Sequence, residues 1–177
     1  MRLWVSLLAA ALVSCGGSGA NAPSPAPEHA STASAAAPRP LPDALLQDLD
    51  GQPSSLPSFL HGRVALVAFW ATWCDACFDE MDALNRLHAK ASELADAVVV
   101  GVAVGEDRAK VAAFARTRGL EYPLLVDPEF ALADALGERR VPTTLVIDQD
   151  ARIVHRGGAL DETSLKAFRE AVSASPR

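Results

Sequence analysis

The sequence predicts an α/β sandwich in which helices flank a central mixed β-sheet. Two observations carry that expectation. Residues 64–70 (Val-Ala-Leu-Val-Ala-Phe-Trp) form an unbroken apolar run, as a strand buried on both faces would. Strand-like and helix-like segments then alternate as far as residue 137, and a hairpin and a last helix close the pattern.

Each element has its own signal. Residues 45–52 read as a short strand that runs into the Asp50-Gly51 turn. After the 64–70 strand a helix is expected from Cys74 to about residue 95. There Cys77, Met81, Leu84, Leu87, Ala91 and Leu94 recur at three- and four-residue spacing. Residues 98–104 are a second buried strand. Residues 107–118 form a helix with Val111 and Phe114 inward, stopped by Gly119. A short strand at 122–126 precedes Asp127-Pro128-Glu129. That triplet reads as a helix start, with Asp as N-cap, Pro at the first position and an acid in the first turn; the helix ends at Gly137. Strands at 143–147 and 152–155 are joined by Asp148-Gln149-Asp150. Asp161 then caps a helix that carries Leu165, Phe168 and Val172.

The chain has 177 residues, half of them apolar, and a formal net charge of -6. That suits one modest domain with extensions. Lys and Arg are not clustered, so no nucleic-acid surface is expected. Three cysteines are too few for a disulfide-stapled scaffold, so each must be accounted for singly.

The first is Cys15. Met1-Arg2 is followed by an apolar run over residues 3–13, too short to span a membrane and suited to the core of a signal peptide. The run ends in Leu12-Val13-Ser14-Cys15-Gly16, which resembles the bacterial lipobox, where the Cys becomes the lipidated first residue of the mature chain. Residues 1–14 are therefore expected to be a signal peptide and Cys15 a lipidation site that attaches the chain to a membrane. The alternative is an ordinary secretory signal that leaves Cys15 free. Gly16 in place of Asp favours the outer membrane over the inner. Residues 15–42 are Gly, Ser, Ala and Pro with few large apolar side chains, and read as a flexible linker. The folded domain is expected over 43–177.

Cys74 and Cys77 are the other two. They sit where a buried strand gives way to a helix. A thiolate at a helix N-terminus meets unpaired N–H donors and the positive end of the dipole, so its pKa falls. Cys74 is expected to be the exposed nucleophile. Cys77, one turn deeper, is placed to resolve a mixed disulfide. Half a zinc site is the competing reading of Cys-x-x-Cys, but no further cysteine and no histidine pair supplies the other ligands. No metal and no cofactor beyond the redox-active pair itself is expected.

The run Phe69-Trp70-Ala71-Thr72-Trp73-Cys74-Asp75-Ala76-Cys77, the Asp50-Gly51 turn and Val141-Pro142-Thr143-Thr144 together resemble the thioredoxin superfamily. The TlpA/ResA-type membrane-associated thiol-disulfide oxidoreductases are the nearest likeness, over residues 41–172. The resemblance implies a thioredoxin-like sandwich with an αβ insertion, about residues 98–137, before a cis-proline at Pro142. It implies that Val141 offers its backbone to an incoming peptide, and that Trp73 belongs either to the substrate-contacting rim or to the core. Glu80 matches an acid found three residues after the second Cys. Buried, it would trade a proton with Cys77; exposed, it would only favour the helix dipole. Ala68 stands where thioredoxin has a buried Asp, and Asp75 sets a negative charge beside Cys74. Both tilt the pair toward reduction.

The function implied is that of an envelope-anchored protein disulfide reductase on the periplasmic side. It would act as a monomer on protein thiol and disulfide substrates, with apocytochrome c among them, and be re-reduced by a membrane electron donor. The alternatives are a disulfide-forming oxidase, a peroxiredoxin-like peroxidase and a non-catalytic binding module. Ala71 and Thr72 do not match the peroxidase spacing, which places Thr three residues before the Cys.

Overall fold

The computed structural model describes residues 39–138 and 140–175. In chain order the elements are β1 (Arg39–Pro40), β2 (Leu46–Asp48), β3 (Pro53–Ser54), α1 (Leu56–Leu60), β4 (Val64–Trp70), α2 (Asp75–Ser92), β5 (Ala97–Val104), α3 (Arg108–Arg118), β6 (Leu124–Asp127), α4 (Ala131–Leu136), β7 (Thr143–Ile147), β8 (Arg152–Gly157) and α5 (Glu162–Ala174). The strands form one sheet in the order β1-β8-β7-β4-β5-β6-β2-β3. β4, β5 and β6 run parallel, while β7 pairs antiparallel with both β4 and β8, so the sheet is mixed as expected.

Strand side chains alternate between faces, and that alternation divides the core. Val64, Leu66, Ala68 and Trp70 of β4 point to one face, where Met81 and Leu84 of α2, Val111 and Ala115 of α3 and Phe168 of α5 cover them. Ala65, Val67 and Phe69 point to the other, against Leu56 and Leu60 of α1 and Leu132 and Leu136 of α4. Every residue of β4 and β5 is buried, which is why both read as continuous apolar runs.

The structure corrects the sequence reading in four places. The folded part begins before residue 43. Arg39 pairs with Ile153, and the Leu41 N–H donates to the Ala151 carbonyl at 2.9 Å, so the last linker positions belong to the sheet. The leader 1–14, the lipidation site Cys15 and the linker as far as residue 38 lie outside the described residues. Helix α1 was not expected. Ser55 caps it and Pro57 sits in its first turn, but it spans only five residues, too few for periodicity to show. Helix α4 starts at Ala131, with Phe130 in the left-handed region (φ 57°) as its N-cap, and not at Asp127-Pro128. Asp127 ends β6 fully buried, and its Oδ2 accepts the N–H groups of Leu132 and Ala133 at 3.1 and 2.9 Å. It therefore serves the same donors a cap would, from farther back. Leu94 lies beyond α2 and is exposed, so the apolar stripe ends at Ala91.

Candidate active site

β4 and β5 end side by side, and in parallel sheets sites form at such carboxyl ends. From β4, residues 71–73 turn the chain into α2, with the Cys74 N–H donating to the Ala71 carbonyl at 3.1 Å. Cys74 is the N-cap of α2, and its Sγ accepts the Cys77 N–H at 3.2 Å. The same donor and the helix dipole stabilise a thiolate at this position once the pair is reduced. Here the pair is closed, with S–S 2.06 Å and Cα–Cα 5.3 Å. Cys74 is less open than the sequence suggested, at 6% exposed, because Ala68, Ala71 and Trp70 pack in the same cluster; Cys77 is deeper still at 1%.

Around the pair the expected residues take distinct places. Trp73 is 64% exposed, on the rim. Val141–Pro142 is a cis bond just before β7, and Val141 packs against the cluster that contains both cysteines. A groove of about 540 Å³ runs alongside, lined by Trp73, Val141, Phe69, Val104, Ala133 and Phe130, with Asp134, Glu138 and Arg140 at its border. Phe130 reaches it because Gly105 (φ 66°) has no side chain: a Cβ there would lie 2.1 Å from Phe130 Cζ.

Glu80 is 7% exposed on α2, one turn beyond Cys77, whereas Asp79 faces solvent. Burial pushes the Glu80 carboxyl above its ordinary range, and the Leu160 N–H, donated to Oε2 at 2.6 Å, partly offsets this. The unfolded chain thus loses this proton at lower pH than the folded one. Between the two pKa values the folded state binds more protons, so its stability falls as pH rises. Glu80→Gln is expected to remove this loss. Relative to the variant, the wild type should weaken by on the order of 1 kcal/mol as pH rises from about 4.3 through the folded value, read from urea midpoints.

Sequence reasoning missed Glu106. It is 6% exposed, just after β5, and its carboxylate accepts the Thr72 N–H at 2.5 Å, the Thr72 hydroxyl and the Lys110 ammonium at 2.7 Å. Burial would raise its pKa, but these donors together hold it below the usual carboxylate range. Glu106 thereby fixes the turn that carries Trp73 and Cys74. The available signal was Gly105-Glu106 at the end of a strand parallel to the one bearing the dithiol. Glu106→Gln is expected to cost about 1–2 kcal/mol. With a depressed folded pKa the sign is opposite to Glu80: the loss should be largest above the ordinary carboxylate range and shrink on acidification. Thermal melts at two pH values, with amide exchange at Thr72, measure it.

Among the described residues no three His, Cys, Asp or Glu side chains group as a metal site, and no helix is long and apolar enough to cross a membrane.

Comparison with known proteins places this geometry. The AhpC/TSA family matches residues 38–156. The thiol-disulfide oxidoreductase ResA of Halalkalibacterium halodurans is 31% identical over 130 residues, 72% of either chain. The ResA of Geobacillus thermodenitrificans is 32% identical over 112 residues, and the match spans 63% of that relative's own length. A secreted thiol-disulfide isomerase from Corynebacterium glutamicum superimposes with a TM-score of 0.65 at 27% identity, covering 75% of this chain and 85% of that one. The chain belongs to the AhpC/TSA family of thioredoxin-like proteins, among the ResA-type thiol-disulfide oxidoreductases.

Proposed function

We propose that this chain reduces disulfides in other proteins outside the cytoplasm, held at the membrane by a lipid on Cys15 and re-reduced there by a membrane electron donor. One observation supports the reading above others: a closed Cys74–Cys77 pair at the N-terminus of α2, with the cis Val141–Pro142 bond and an apolar groove beside it.

The chemistry balances as two exchanges. The Cys74 thiolate attacks one sulfur of a substrate disulfide. A Cys74–substrate disulfide forms, and the other substrate sulfur leaves as a thiolate. The Cys77 thiolate, formed as its proton passes to a base, then attacks Cys74 Sγ and releases the second substrate thiol. Two electrons have passed to the substrate, and the pair ends oxidised, the state described here. Glu80 is the buried carboxyl one turn from Cys77 that takes this proton. Envelope proteins, apocytochrome c thiols among them, are the substrate class.

Insulin reduction by the full chain with dithiothreitol tests the activity, and no acceleration over dithiothreitol alone would sink it. A redox titration of the pair tests the direction. A midpoint near about -270 mV supports a reductant, and one near about -120 mV an oxidant.

A further inference from the structure

The groove beside the dithiol draws its walls largely from the layer opposite α2. Phe69, Val104 and Ala133 belong to the core that α1 and α4 cover, whereas Cys74 and Cys77 belong to the other core. Val141 packs on both and so joins the groove to the sulfurs. Among the described residues five large apolar side chains are exposed, and two of them, Trp73 at 64% and Phe130 at 44%, line this one groove. Single apolar side chains on a surface need no explanation, but two gathered beside a reactive pair mark a place where something docks.

Phe130 is held there against its own preference. Its φ of 57° lies in the left-handed region, which bulky side chains rarely enter. Its N–H donates to the Asp127 carbonyl at 3.3 Å, and its carbonyl accepts the Asp134 N–H at 2.8 Å. The same Asp127 carbonyl accepts the Gly105 N–H at 2.9 Å, so one oxygen ties the end of β5 to the start of α4. The ring then lies over Gly105, where even a Cβ would meet it at 2.1 Å. Strained residues of this kind persist only where their surroundings over-determine them, and they cluster at functional sites. Stability alone would bury such a ring, and this one stays half in water beside the dithiol.

The occupant follows from position and charge. Trp73 is next in the chain to Cys74, so a segment whose sulfur meets Cys74 also passes the groove. In an extended segment, side chains two residues apart share a face and lie about 7 Å from one another. At the border Asp134 and Glu138 are matched by Arg140 and by Arg156, which pairs with Glu138 at 2.5 Å. Charge therefore favours neither an acidic nor a basic side chain, and the apolar walls decide. We propose that Phe130, seated over Gly105, is a specificity-determining residue: it selects substrate segments with a large apolar side chain two residues from the attacked cysteine. The inference rests on the exchange reading and adds to it the class of segment preferred.

Two peptides test it, Phe-Ala-Cys-Ala-Phe and Ser-Ala-Cys-Ala-Ser, each with its cysteine linked to thionitrobenzoate. The Cys74 thiolate of the reduced full chain attacks the peptide sulfur, thionitrobenzoate leaves as the coloured thiolate, and Cys77 then releases the peptide thiol. The aromatic leaving group is common to both peptides, so the ratio of their kcat/KM values reports the flanking side chains. Wild type is expected to favour the Phe peptide by about five- to tenfold, as partial burial of one aromatic side chain gives. Phe130→Ala should lower that ratio to about twofold by slowing the Phe peptide alone, and Phe130→Leu should restore most of it. Equal rates for the two peptides in wild type overturn the proposal, as does an unchanged ratio in Phe130→Ala. Should Phe130→Ala fail to fold, Phe130→Gly, which suits the left-handed backbone, replaces it. A wild type that sediments as a dimer and a Phe130→Ala that sediments as a monomer would put a second copy in the groove and likewise overturn it. Reduction of bis(2-hydroxyethyl) disulfide, which has no flanking residues, should be the same in wild type and Phe130→Ala. If wild type fails to reduce it, the exchange reading itself falls, an outcome separate from loss of selectivity.

Discussion

Cys74→Ser is expected to lower insulin reduction by on the order of a thousandfold or more, to the level of dithiothreitol alone. A serine hydroxyl at this position is not ionised at neutral pH, whatever the N-terminus of α2 does for it, and oxygen does not exchange with a disulfide. Cys77→Ser should behave differently. Cys74 keeps its cap and its attack, but nothing resolves the intermediate, so the variant should accumulate a mixed disulfide with its substrate. Non-reducing electrophoresis with mass spectrometry measures that adduct. Folding is not the confounder. The pair closes a very short loop, so its loss should cost only about 2 kcal/mol, and both variants should melt close to the reduced wild type. Equal turnover by Cys74→Ser and wild type would end the assignment.

Gly101→Val should produce the largest loss of stability. The position is in the middle of β5, paired with Ala68 on one side and Leu124 on the other, and its backbone is ordinary extended strand. Space is the constraint. The nearest atoms to an added Cβ would be Leu124 Cδ2 at 2.6 Å, Tyr122 Cε2 at 2.8 Å and Trp70 Nε1 at 2.9 Å, all closer than carbon tolerates. None is the free end of a surface chain, because all three residues are buried in the packed layer under α2 and α3. A loss of about 2–4 kcal/mol is expected, at the upper end for overpacking. In a domain of this size that lowers Tm by roughly 5–15 °C. Gly101→Ala should give a smaller loss of the same sign. A melting temperature unchanged in Gly101→Val would show that the two aromatic rings can move aside.

These expectations mark what the sequence could and could not reveal. The strand at 64–70, the helix after it and the dithiol at their junction are local facts: burial on both faces, three- and four-residue spacing, and a Cys at a helix start are all written within one turn or one pleat. The burial of Glu80 was half legible, because helical geometry put it on the side of Cys77, but only the fold supplied the Leu160 amide. Glu106 was hidden, since its partner Thr72 is 34 residues away and their meeting depends on β4 and β5 lying side by side. Tyr122 read as an ordinary strand residue, because nothing nearby in the chain announces that it meets Trp70 over Gly101. The start of α4 misled for a local reason: Asp127 does what a cap does, but across a turn that Phe130 makes in the left-handed region. The elements β1 and β3 are two residues each, below any periodic signal.

Those two short strands have a consequence of their own. They are the outermost members of the sheet, and each contains a proline, Pro40 in β1 and Pro53 in β3. Proline offers no N–H to a passing chain, and two residues give little length to template on. A protein that handles half-folded partners meets many loose extended segments, any of which could graft onto an open rim and seed a clump. This sheet is blunt at both rims. Under the proposed function, an unfolded partner would find its backbone ledge instead at Val141, before the cis-proline and packed on the cluster that contains the sulfurs, where a brief stay would end in exchange and release.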